Sequence, residues 1–113
     1  MLKIYHNPRC KKSRAGLAYL QEKTSDFEIR EYLKDPFTTE ELVNALKKMN
    51  KNPVDIIRKQ EDVFKKQYKG KEFQDDQWIN ILIENPKLIE RPIVVSASKA
   101  VLAQPPENID ELF

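Results

Sequence analysis

Cys10 is the only cysteine of the chain. It lies in Tyr5-His6-Asn7-Pro8-Arg9-Cys10-Lys11-Lys12-Ser13-Arg14, where a short apolar strand turns into a helix. Three features of this segment favour thiolate over thiol. A helix N-terminus presents unpaired amides and a partial positive charge. Arg9, Lys11, Lys12 and Arg14 flank the sulfur, and nearby cations lower a thiol pKa. His6, the only histidine, could add a positive charge or a hydrogen bond if the chain folds it back over the loop. Together these could lower the pKa by a unit or more from its reference of about 8.5. The thiolate is the nucleophilic form of cysteine, so the chemistry in view is attack on an electrophilic substrate. A lone cysteine closes no internal disulfide, and another molecule must resolve any oxidised form. Ser13 takes the second position of a Cys-x-x-Cys pattern; its hydroxyl can hydrogen-bond a thiolate but cannot resolve a mixed disulfide.

Other chemistries fit poorly. One Cys and one His cannot build a four-ligand zinc site, and the carboxylates lack calcium-loop spacing, so no metal is expected. A phosphatase-type Cys-x5-Arg loop fails because the sixth residue after Cys10 is Gly16, and no glycine-rich phosphate loop exists. Twenty Lys plus Arg against 18 Asp plus Glu leave a net charge of +2, weaker than the basic field typical of nucleic-acid binders. No run approaches the roughly 18 apolar residues of a membrane span, and no signal-peptide core opens the chain. An unpaired cysteine fits a reducing compartment, and the cytoplasm is the expected location.

The elements that must position Cys10 follow from periodicity. At 113 residues, one domain (1–113) with a single two-layer core is expected. Leu2 and Ile4 read as a strand; Leu17, Ala18 and Leu20 give a helical stripe after Cys10 that fades at Lys23–Asp26. Phe27 and Ile29, with Tyr32, suggest a second strand ending before Asp35-Pro36. Thr38 and Glu41 form a capping-box pattern ahead of Leu42, Val43, Leu46 and Met49. Asn52-Pro53 opens a short helix to Arg58. Phe64 and Tyr68 mark another that Gly70 ends, and Gln74 or Asp75 caps a stronger one carrying Trp78 and Leu82. Ile93–Val95 and Val101–Ala103 are strands joined by a turn at 96–99. Pro105-Pro106 ends the second, and a terminal helix should turn Ile109, Leu112 and Phe113 inward. The order β-α-β, a helical block at about 38–86, then β-β-α predicts a four-stranded mixed α/β sheet with a helical insertion packed beside it.

The residues also carry a family resemblance over nearly the full chain. His6-Asn7-Pro8-x-Cys10-x-x-Ser13-Arg14, Ile56-Ile57-Arg58-Lys59 and Asn85-Pro86-x-Leu88-Ile89-x-Arg91-Pro92-Ile93-Val94-Val95 resemble the glutaredoxin-linked arsenate reductase family. The resemblance implies a thioredoxin/glutaredoxin-like fold with a helical insertion. It implies that the Cys10 thiolate attacks arsenate, that glutathione as co-substrate attacks the adduct and releases arsenite, and that glutaredoxin clears the mixed disulfide. His6 matches the residue that keeps the cysteine ionised, and Ser13 the one that bonds to the thiolate. Arg58 and Arg91 match arginines that hold the oxyanion, a role suited to planar, always-charged guanidinium groups. Asn7 belongs to the loop motif, and Pro92 resembles the cis-proline beside the site. The family's third arginine falls on Gln104, which can hydrogen-bond an oxyanion but adds no charge. Gln104 therefore admits a glutathione-dependent reductase with a substrate other than arsenate. Regulators resembling Spx share the fold and bind RNA polymerase; they carry Cys-x-x-Cys, which Ser13 breaks, so polymerase is not an expected partner.

Overall fold

The computed structural model describes residues 1–113. Four strands, β1 (Leu2–His6), β2 (Phe27–Glu31), β3 (Ile93–Val95) and β4 (Ala100–Leu102), form one sheet in the order β2-β1-β3-β4. β1 runs parallel to β2 and antiparallel to β3, and β3 pairs antiparallel with β4. The helices are α1 (Lys11–Lys23), α2 (Thr39–Met49), α3 (Asp62–Gln67) and α4 (Asp75–Glu84), with 3-10 turns at Pro53–Ile56, Pro86–Leu88 and Pro106–Leu112. This is the mixed four-stranded α/β sheet expected from the element order, with the helical block between β2 and β3.

The expected two-layer core is corrected to three layers. Ile4, Val94 and Val101 face Leu20 of α1 and Ile109 of the terminal turn. Tyr5 and Ile93, one residue out of phase on the same strands, face Phe37, Leu46, Trp78 and Leu82 of the helical block. Side chains alternate across a strand, so one central pair of strands serves two cores at once. Ile29 is exposed because β2 is an edge strand, and Phe113 points into solvent rather than inward.

Local chemistry explains the joints. Thr38 Oγ1 accepts the Glu41 amide at 3.1 Å, and Glu41 Oε1 accepts the Thr38 amide at 2.9 Å, completing the expected capping box. The same Glu41 carboxylate receives both terminal nitrogens of Arg30 from β2, at 2.9 and 2.8 Å. This bidentate pair ties the edge strand to the start of α2. At α4, Gln74 rather than Asp75 is the N-cap residue.

The buried face of α1 is Ser13, Gly16 and Leu20. Gly16 lies in mid-helix, where glycine is unfavourable by roughly 1 kcal/mol relative to alanine. Its place follows from close approach: a Cβ there would stand 2.5 Å from Pro92 Cγ and 3.5 Å from Ala103 Cβ. Gly16→Ala should destabilise the fold by about 1–3 kcal/mol despite the better helix propensity, because the Pro92 ring has no room to yield. Urea denaturation checks this; an unchanged or raised midpoint would show that the loop gives way freely.

Candidate functional site

Cys10 is the N-cap of α1, in extended conformation (φ −96°, ψ 124°). The preceding loop is closed by its own backbone. Cys10 N–H donates to the Asn7 carbonyl at 3.0 Å, and Arg14 N–H donates to the Cys10 carbonyl at 2.9 Å. Buried Asn7 braces the turn further, its Oδ1 accepting the Arg9 amide at 3.0 Å. The sulfur thus sits at the N-terminus of a thirteen-residue helix, without a side-chain capping hydrogen bond. Partial burial pushes the thiol up, but the Ser13 amide, the Arg91 guanidinium and the Lys12 amide favour the thiolate, and the net direction is down.

The cation that matters comes from elsewhere in the chain. Arg9, Lys11, Lys12 and Arg14 are exposed, and Arg14 folds back only to donate to the Pro8 carbonyl at 3.1 Å. Arg91, on the loop leading into β3, is only 7 % exposed and faces the thiol. One of its terminal nitrogens donates to the carbonyls of Lys87 (3.1 Å) and Ile89 (3.2 Å), while its Nε–H is buried without a partner. A buried guanidinium donor left unpaired beside a thiol is costly, and an anion would satisfy it.

His6 and Ser13 form a pair beneath the loop. Ser13 is fully buried; its Oγ accepts the Asn7 amide at 2.9 Å and lies 2.7 Å from His6 Nδ1. Burial lowers the His6 pKa, with Glu31 opposing and Arg14 assisting, and the net direction is down. The ring is therefore held neutral, and the positive charge considered for His6 gives way to a hydrogen bond. The Ser13 hydroxyl serves the loop, while the Ser13 amide serves the sulfur.

Arg58 follows the 3-10 turn Pro53–Ile56. Its amide donates to the Leu88 carbonyl at 2.7 Å, and its guanidinium pairs with Glu61 (3.4 Å) and Glu90 (3.5 Å). Burial raises the Tyr32 phenol to about 12, and the charges of Arg91 and Arg58 pull it back. Pro92 follows a cis peptide and packs on Gly16. The side-chain amide of Gln104 donates to the Arg91 carbonyl just before Pro92, so one of its two N–H donors is taken up by backbone. Tyr32 was legible only as a strand residue; nothing in its spacing marks it as a neighbour of two arginines.

A helix-capping cysteine beside a cis-proline loop, on a β-α-β unit joined to a β-hairpin, defines a thioredoxin-like thiol protein. The model of the ArsC family matches residues 5–112, and the chain belongs to that family. The protein YfgD of Escherichia coli K12 is 38% identical over 113 residues, covering 98% of this chain and 95% of its own. A protein of Neisseria meningitidis named arsenate reductase is 34% identical, covering 99% of this chain and 97% of its own. The solved structure of an arsenate reductase from Vibrio cholerae superposes with a TM-score of 0.91 at 36% identity, covering 99% of this chain and 97% of that one.

Proposed function

We propose that this protein is an arsenate reductase-type oxidoreductase in which Cys10 is the nucleophile and Arg91 the principal oxyanion-binding residue. The observation that carries the reading is the buried Arg91 guanidinium, with its unpaired Nε–H, facing a thiol whose pKa is lowered. The Cys10 thiolate attacks arsenic, a sulfur–arsenic bond forms and one arsenate oxygen leaves as water after protonation. Glutathione thiolate then attacks the Cys10 sulfur. The sulfur–arsenic electron pair departs with arsenic, which is reduced from As(V) to As(III) and leaves as arsenite. The resulting Cys10–glutathione disulfide is cleared by glutaredoxin. This sequence needs an external thiol because Ser13 cannot supply one, and it belongs in a reducing compartment such as the cytoplasm. His6 and Ser13 hold the loop, Arg58 adds positive potential behind Arg91, and Asn7 and Pro92 shape the walls.

A coupled assay with glutathione, glutaredoxin and NADPH tests the proposal: arsenate should accelerate NADPH consumption, and no turnover above background would sink it. Gln104 supports a second reading, a glutathione-dependent reductase for a different oxidised substrate, because its amide carries no charge and spends one of its two N–H donors on the Arg91 carbonyl. Gln104→Arg should lower KM for arsenate roughly fivefold, the effect of about 1 kcal/mol from an added charged donor. An unchanged KM would remove the argument that position 104 limits arsenate binding.

A further inference from the structure

Tyr32 lies just beyond the end of β2 and is fully buried, its ring packed 5.8 Å from that of Phe37. Such a residue reads as core. Its hydroxyl, however, emerges at the Ile89 carbonyl, 3.4 Å away, and that carbonyl also accepts Arg91 at 3.2 Å. The phenol and the guanidinium thus meet at one shared acceptor, the Ile89 carbonyl. Tyr32 and Arg91 are therefore linked through a backbone carbonyl, Ile89, at the inner end of the site.

We infer that Tyr32 is a positioning residue for Arg91: its hydroxyl donates to the same Ile89 carbonyl that accepts from the guanidinium, fixing the acceptor that holds Arg91 beside Cys10. Donor counting supports this arrangement. Arg91 spends one terminal nitrogen on the Lys87 and Ile89 carbonyls, so those two bonds fix one end of a planar fork. The phenol, donating to the same Ile89 carbonyl, keeps that acceptor in place. Burial pushes the phenol up to about 12, with Arg91 and Arg58 pulling it back, so it stays protonated across the working range and can donate throughout. Phenylalanine would keep the packing and lose only the oxygen.

The inference rests on the reading of Cys10 as a thiolate under Arg91, but it is tested without arsenate. The rate of Cys10 alkylation by iodoacetamide is measured against pH for the wild type, Tyr32→Phe, Arg91→Lys and Tyr32→Phe/Arg91→Lys. Tyr5→Phe serves as control, because it removes another buried phenol, one coupled to Glu41 and Arg30 instead. In Tyr32→Phe the midpoint should rise by about half a pH unit, lowering alkylation roughly threefold below the midpoint. The Tyr5 control should leave it in place. In the Arg91→Lys background the Tyr32 substitution should have no further effect, the signature of action through a shared partner. An unmoved midpoint in Tyr32→Phe, an equal shift in the Tyr5 control, or full additivity would each overturn the role. If Tyr32→Phe folds poorly, NMR of the wild type decides: hindered rotation of the Arg91 guanidinium supports the inference, and free rotation contradicts it. Failure of arsenate turnover with this thiol pattern intact would count against the proposed substrate, not against Tyr32.

Discussion

Cys10→Ser should abolish arsenate-dependent turnover, a loss of roughly a thousandfold or more, while leaving the fold at least as stable as the wild type. The two halves of this expectation have separate causes. A serine hydroxyl does not ionise near neutral pH, and an arsenic–oxygen ester offers no sulfur for glutathione to attack, so the electron pair has no route to arsenic. Serine is nevertheless a favoured N-cap residue, and its oxygen can accept the first helix amides that now face the sulfur. Arsenite formation and urea denaturation on the same preparations separate the effects. Residual turnover within tenfold of the wild type would remove Cys10 from the reaction.

Arg91→Ala should carry the next largest cost, about 2–4 kcal/mol in kcat/KM, or roughly 30- to 1,000-fold. On the proposed reading the guanidinium holds the oxyanion and also favours the thiolate, so KM should rise and the alkylation midpoint of Cys10 should move up together. The Lys87 and Ile89 carbonyls lose their donor, which should destabilise the fold by about 1–3 kcal/mol as well. Arg91→Lys separates charge from shape: an ammonium keeps the charge but not the planar fork, and its activity should fall between the two. Wild-type kcat/KM in Arg91→Ala would contradict the oxyanion assignment, whatever the stability.

Much of the architecture was readable from patterns with a local cause. The Thr38–Glu41 capping box formed as written, because it depends only on residues three apart. The strand and helix order around Cys10 also agrees with expectation, whereas the isomer of the Arg91-Pro92 bond, which is cis, was open in the sequence and only the resemblance pointed to it. What was hidden depends on contacts distant in sequence. Ser13 and Gly16 form the buried face of α1, yet neither is apolar; one is buried for its hydroxyl and the other for its lack of a Cβ. The apolar stripe read from Leu17, Ala18 and Leu20 therefore pointed partly the wrong way: Ala18 is exposed.

Charge misled in the same manner. Arg9, Lys11, Lys12 and Arg14 are adjacent to the thiol in sequence but exposed to water, where their fields are screened. Arg91 is remote in sequence and buried against the site, so one guanidinium outweighs four exposed cations. Family resemblance pointed to Arg91; composition and spacing alone could not. Tyr32 carried no signal at all, since a buried aromatic near a strand end reads as core.

The central claim is that an ionised Cys10 attacks arsenate held by Arg91. The most direct measurement is the initial rate of arsenite formation by the wild-type protein as a function of pH, with glutathione and glutaredoxin in excess. Because the thiol is held below the range of a free cysteine, the rate should already be substantial near neutrality and should rise with the thiolate through that lowered pKa. No arsenite at any pH, or a rate that rises only where an ordinary free thiol ionises, would contradict it.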